Sequence, residues 1–218
     1  MKKLFFPPLF ALGIMISCSN SPSTPVQAAQ VTGMATSSVL QNGDIIFQTS
    51  RSSQSKAIQL ATHSKYSHMG IVYLMDGKYF VYEAVQPVKL TSLKAWIRRG
   101  IDGHYVVKRL KNADQVLTSE TLAKMKKAGE KYKGKPYDIY FGWSNDRIYC
   151  SELVWKIYQE AAGIEIGTLE HLSDFDLTDP VVKKIMKERY GDNIPMEEQV
   201  ISPAAMFGSD KLITVEER

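Results

Sequence analysis

From residue 44 onward, short runs of β-branched and aromatic residues alternate with stretches in which apolar positions recur every three or four residues. Residues 44–48 read as a short apolar strand, and 54–63 carry Ala57, Ile58 and Ala61 at helical spacing. Residues 68–74 and 79–85 are rich in Ile, Val, Tyr and Phe and flank Asp76-Gly77. That dipeptide suits the two positive-φ positions of a tight turn, so a β-hairpin is expected. Residues 93–99 predict a short helix ending at Gly100, 104–110 a further strand, and 118–133 a helix stopped by Gly134 and Pro136. A second strong helix begins at Cys150, with Leu153, Val154, Ile157, Tyr158 and Ala161 on one face and Gly163 just past its end. Asp179-Pro180 starts another helix running to about residue 190. Shorter pieces follow around Ser202-Pro203 and over 212–215. The strands cluster centrally, which predicts an α+β fold with helices packed on a small antiparallel sheet.

Residues before this region follow a different pattern. Lys2 and Lys3 precede an apolar run over 4–16 that is too short to span a bilayer, as in an export signal. The run closes on Met15-Ile16-Ser17-Cys18, similar to the lipobox of bacterial lipoproteins, although Met15 stands where Leu is usual and Pro7-Pro8 interrupt the run. This reading makes 1–17 a signal peptide and Cys18 a lipidation site that anchors the chain to a membrane. The alternative is ordinary cleavage near residues 26–28, which releases a soluble protein and discards Cys18. Either way the mature protein is expected outside the cytoplasm, in the cell envelope. Residues 18–38 are mostly Ser, Pro, Thr, Gln and Ala, too poor in apolar groups to order themselves, and read as a tether to a single domain over 39–218.

Composition adds exclusions. With 44% hydrophobic and 23% charged residues the chain has the makings of an ordinary folded core. Loss of residues 1–17 would remove Lys2 and Lys3 and no acid, leaving 25 of the 27 basic residues against all 23 acidic ones. That balance, without a clustered basic and aromatic stripe, argues against nucleic-acid binding. A lipidated or discarded Cys18 leaves Cys150 as the domain's one thiol, either inert or used. No CxxC, HxxxH or HExxH spacing supports a zinc site, so neither metal nor cofactor is expected. Cys150-Ser151 lacks a G-x-S-x-G elbow, and Ser151 reads as a first-turn helix residue.

A thiol attacks as thiolate, and an unperturbed cysteine, with a pKa of about 8.5, is mostly protonated at neutral pH. The N-terminus of the helix starting at Cys150, and an imidazolium nearby, both favour the thiolate. Helical geometry turns Glu152 about 200° away, where it favours the helix start from the other side. The base follows from the hairpin. A two-residue Asp76-Gly77 turn pairs residues whose numbers sum to 153, so Gly70 faces Glu83 and His68 lies diagonal to it on the same face. Gly70 leaves room for the carboxylate to lean toward the imidazole, fixing one nitrogen and freeing the other for the thiol proton. His63, His104 and His171 fit worse and read as structural or surface residues.

The ordered segments 43–47, 67–71, 82–84, 134–138 and 149–154 together resemble the circularly permuted NlpC-type papain-like hydrolases, in particular the YiiX/YebB-like group. The resemblance covers nearly all of 40–210 and places His68, Glu83 and Cys150 in the order of the permuted branch. It implies a papain-like fold with a small antiparallel sheet against the nucleophile helix, and thiol hydrolysis of an amide through an acyl-enzyme. The oxyanion would be met by the Cys150 backbone N–H and one more donor, with Tyr137 and Tyr149 as candidates. An amidase or peptidase acting on an amide substrate, such as a cell-wall peptide, leads. Lipid acyl hydrolysis or transfer, with an acylated molecule as substrate, and a membrane-tethered binding module without catalysis are the alternatives.

Overall fold

The computed structural model describes residues 40–218; the expected signal, Cys18 and tether lie outside the described residues. Strand β1 (Ile45–Gln48) is buried throughout and leads to helix α1 (Ser53–Thr62). Ser52 caps α1 by accepting the Ser55 N–H at 3.1 Å, and His63 ends it in a left-handed conformation. Strands β2 (His68–Met75) and β3 (Lys78–Glu83) form the expected hairpin. Asp76 and Gly77 take φ of 49° and 71°, the two positive values such a turn requires. The register pairs Ile71 with Tyr82 and Val72 with Val81, as the turn predicts.

Strand β4 (Lys89–Ser92), absent from the sequence expectations, pairs with β3 and runs directly into α2 (Leu93–Arg98). Strand β5 (Val106–Leu110) starts two residues later than expected: His104 is already extended, but its N–H closes a local turn on the Ile101 carbonyl at 3.0 Å rather than joining the sheet. Helix α3 (Ala113–Val116) is a single turn, and α4 (Ser119–Glu130) is capped by Thr118. Helix α5 (Cys150–Ala162) closes on Gly163 with φ 67°, where a side chain would be strained. The remaining elements are β6 (Glu170–His171), α6 (Pro180–Tyr190), β7 (Gln199–Val200), α7 (Pro203–Phe207) and β8 (Leu212–Glu217). Among the described residues no helix is long and apolar enough to cross a membrane.

Six strands form one antiparallel sheet in the order β4-β3-β2-β1-β5-β8, while β6 pairs with β7 alone. Alternation divides the sheet into two apolar faces. Phe47, Met69, Ile71 and Tyr82 pack with Leu153, Val154 and Ile157 of α5. Ile46, Val72, Val81 and Val107 pack with Trp96 of α2. The α5 residues are wholly buried, and each such side chain contributes roughly 1.5–3 kcal/mol. The start of α5 is therefore held against the sheet by its own apolar stripe. A third cluster, Ala57, Leu172, Val182 and Met186, fastens α6 to α1.

Candidate active site

Glu83 ends β3 and His68 begins β2, and both project from the sheet face that carries Trp96. Glu83 Oε2 lies 2.6 Å from His68 Nε2. Gly70 makes this possible: a Cβ there would lie 2.5 Å from Val81 Cγ1, 2.7 Å from the Tyr82 carbonyl oxygen and 3.3 Å from Glu83 Cβ. The other carboxylate oxygen accepts Thr91 Oγ1–H at 2.5 Å and an N–H of Arg99. Glu83 is wholly buried and would be costly as a lone charge, so these three donors satisfy it. Burial pushes its pKa up, but the His68 hydrogen bond and charge, Thr91 and Arg99 outweigh burial and leave it below the usual carboxylate range.

The His68 ring stacks on Trp96, with centroids 6.0 Å apart and planes 26° from parallel. With Nε2 taken by Glu83, Nδ1 is the nitrogen left for a thiol. Burial alone would lower the histidine's pKa; hydrogen bonds to Cys150 and Glu83 and the charges of both reverse this and push it up to about 9. Ser67, one residue earlier, receives the Ser50 N–H at 3.1 Å and lies 2.5 Å from the Ser55 hydroxyl, fixing the start of β2 beside α1.

Cys150 is buried at the first position of α5. Its turn is tied on two sides. Ser151 Oγ donates to the Ile201 carbonyl at 2.7 Å, and the Ile201 N–H donates to the Tyr149 hydroxyl at 3.1 Å. Glu152 Oε2 accepts the Tyr149 N–H at 3.3 Å, and Oε1 meets Lys156 Nζ at 2.6 Å. Glu152 therefore supports the helix start as expected, though from a buried position. Burial raises its pKa to about 7 against the opposing effect of Lys156.

The two tyrosine candidates separate. The Tyr149 hydroxyl oxygen accepts the Ile201 N–H, and its ring packs edge-on against Phe141 at 5.2 Å. The Tyr137 hydroxyl lies beside Cys150 and accepts Gln54 Nε2–H at 2.9 Å. Burial first, then the charge of Cys150, holds its pKa well above the usual tyrosine value, so it is a proton donor throughout the physiological range. Thr91, Trp96, Arg99 and Gln54 were not among the expected site residues. Of these only Arg99 carried a signal, as a cation at a helix end. His63, His104 and His171 lie near Asp176, Glu217 and Asp174 respectively, remote from this cluster in their contacts.

Two concavities meet here. Cys150 borders a narrow, almost wholly apolar cavity between α1 and α6, lined by Ala57, Ile58, Leu172, Val182 and Met186. His68 borders a more open cleft of about 700 Å³ that includes Gln48, Arg51, Gln86, Arg99 and Tyr137. Gln48 is buried there with both amide atoms unpartnered. Among the described residues no group of three or more His, Cys, Asp and Glu could hold a metal ion.

Comparison with known proteins follows the same lines. The sequence profile described as "permuted papain-like amidase enzyme, YaeF/YiiX, C92 family" matches residues 39–216. The uncharacterized protein YiiX of Escherichia coli strain K12 is 54% identical over 175 residues, spanning 80% of this chain and 85% of that protein. A crystal structure described as metalloprotein yiiX from Escherichia coli O157:H7 is 53% identical and superposes with a TM-score of 0.78, over 82% of this chain and 97% of that one.

Proposed function

The chain belongs to the permuted papain-like amidase family, and from that premise we propose that it is a thiol-dependent amide hydrolase with Cys150 as nucleophile, His68 as acid and base, and Glu83 as the group that orients and charges the imidazole. The observation that carries this reading is the imidazole held by Glu83 at 2.6 Å with Cys150 beside it. An imidazolium that persists to about pH 9 is the natural counter-ion of a thiolate. The thiolate attacks the amide carbonyl carbon. The Cys150 N–H, one of the first-turn donors without an intrahelical acceptor, and the Tyr137 hydroxyl receive the oxyanion. The intermediate collapses as His68 gives its proton to the amine, leaving a thioester on Cys150. A water molecule, deprotonated by the now neutral His68, hydrolyses that thioester.

The leaving amine must sit on the His68 side, in the more open cleft that carries Arg51, Gln86 and Arg99, and the acyl group on the Cys150 side, against the apolar cavity. The apolar cavity favours the second reading of the substrate: an acylated molecule, with hydrolysis or transfer of a hydrophobic acyl group, rather than a polar cell-wall peptide. Turnover of cell-wall peptides, N-acyl amides and phospholipids by the purified protein and by Cys150→Ala tests both. The amidase reading requires amine release that Cys150→Ala abolishes; preference for N-acyl amides supports the acyl reading, and ester cleavage without amide cleavage would refute amide hydrolysis. Export and anchoring through Cys18 are part of this proposal, placing the enzyme in the cell envelope at a membrane surface.

A further inference from the structure

Arg189, Gln54 and Tyr137 come from three separate segments, α6, α1 and the stretch before α5, yet their polar ends form one chain. Arg189 Nη2 donates to Gln54 Oε1 at 3.0 Å, and Gln54 Nε2 donates to the Tyr137 hydroxyl oxygen at 2.9 Å. Chemistry fixes the direction. A guanidinium has five N–H donors and no acceptor, so the amide atom facing it must be oxygen. The amide nitrogen then faces the phenol and can only donate. A phenol has one proton, and because its oxygen is already receiving a hydrogen bond from Gln54, that proton is free to point elsewhere. Cys150 lies beside this hydroxyl.

Arg189 is itself fixed. Its guanidinium lies over the Phe141 ring, 5.3 Å from the centroid, and borders the apolar cavity that reaches Cys150. Gln54 borders both that cavity and the more open cleft beside His68, so the Gln54–Tyr137 link stands where the acyl and amine halves of a substrate would divide. Were the amide free to rotate, its oxygen could accept the phenol proton and turn it away from the reacting atoms.

We propose that Arg189 and Gln54 are positioning residues that lock the Tyr137 hydroxyl as a donor toward the carbonyl oxygen of a substrate on Cys150. This rests on the reading of Cys150 as nucleophile. The consequence is that Gln54→Glu, nearly isosteric and still able to pair with Arg189, reverses the chain. A carboxylate accepts from both neighbours and draws the phenol proton to itself.

Two probes separate positioning from mere structure. Acylation by p-nitrophenyl acetate forms an oxyanion, whereas alkylation by iodoacetamide displaces iodide and forms none. For Tyr137→Phe and Gln54→Glu the acylation rate should fall by about 10²-fold, the loss typical of one oxyanion donor, with alkylation changed by less than about threefold. Arg189→Met, which frees the amide, should lose part of this, and Arg189→Lys, which still offers a donor, should recover most of it. Gln54→Glu should cost nothing further in a Tyr137→Phe background, because both act through the same proton. Full acylation in Gln54→Glu, a loss that persists undiminished in the double variant, or an equal loss in both probes would overturn the proposal. Normal acylation in Tyr137→Phe would overturn it while leaving the nucleophile intact. Iodoacetamide failing to modify Cys150 in the folded wild type, with acylation unaffected by Cys150→Ala, would remove both the proposal and the reading beneath it.

Discussion

Glu83 and His68 sit diagonally across a two-stranded register, with Gly70 directly opposite the glutamate, and their side chains close to 2.6 Å. The contact is a consequence of one turn. Asp76-Gly77 sets which residues pair, the pairing sets which side chains share a face, and the missing Cβ at residue 70 lets them meet.

Glu83→Gln should retain the fold and lose part of the activity. The amide oxygen still accepts from the imidazole, but the charge that sustains imidazolium is gone and the Arg99 and Thr91 donors compete for one acceptor. A drop in kcat/KM of about 10- to 100-fold is expected, within the usual range for perturbed acid–base catalysis. Stability should fall by about 1–3 kcal/mol, the cost of unsatisfied buried donors and acceptors. Steady-state kinetics and urea unfolding measure the two. Unchanged kinetics would show that Glu83 is only structural.

Gly70→Ala and Gly77→Ala form a matched pair. At residue 70 the new methyl meets Val81 at 2.5 Å and the Tyr82 carbonyl oxygen at 2.7 Å, while at residue 77 it meets nothing but takes a φ of 71°. Overpacking at 70 should cost about 1–3 kcal/mol and displace Glu83, so activity falls as well. At 77 the cost is the left-handed backbone, about 1–2 kcal/mol, with activity of the folded fraction unchanged. Equal residual activity in the two variants would contradict the role given to Gly70.

Thermal stability should depend on pH in a defined direction. His68 holds its proton more tightly when folded, its pKa rising from 6.5 to about 9, so this contribution is fully present below pH 6.5 and is lost as pH rises through 9. Glu83, held below its usual 4.5, contributes above that pH and loses its contribution as pH falls through the folded value. Glu152, raised from 4.5 to about 7, opposes folding increasingly across that interval. Melting temperature should therefore decline between pH 6.5 and 9, and His68→Gln should flatten that decline. A wild-type Tm that rises through this window would contradict the assignment.

Cys18→Ser should move the protein from the membrane to the soluble fraction. Fractionation with N-terminal sequencing decides it. A wild-type protein already soluble and beginning near residue 29 would replace lipidation with ordinary signal cleavage.

Much of the site could be read from the chain because its logic is local. The Asp76-Gly77 turn gave the His68–Glu83 diagonal, and the apolar stripe from Leu153 to Ala161 placed Cys150 at a helix start. What stayed hidden depends on distant segments. Strand β4 is an edge strand of mostly exposed residues, so no alternation marked it, and with it went Thr91 and the path that brings Arg99 to Glu83. Gln54 and Arg189 meet only because α1 and α6 pack together over a separation of 135 residues. No periodicity in either helix announces such a contact.

The central claim is that Cys150 forms the acyl-enzyme and that His68 activates it. Rapid quenching of the protein with p-nitrophenyl acetate, followed by intact and peptide mass spectrometry, tests it directly. Wild type should carry one acetyl group on the peptide containing Cys150, labile to hydroxylamine as a thioester is. Acylation should be absent in Cys150→Ala and slowed by at least about 10²-fold in His68→Ala, the loss expected when a nucleophile is deprived of its base. Acetylation elsewhere, or an equal rate of acylation at Cys150 without His68, would contradict the account.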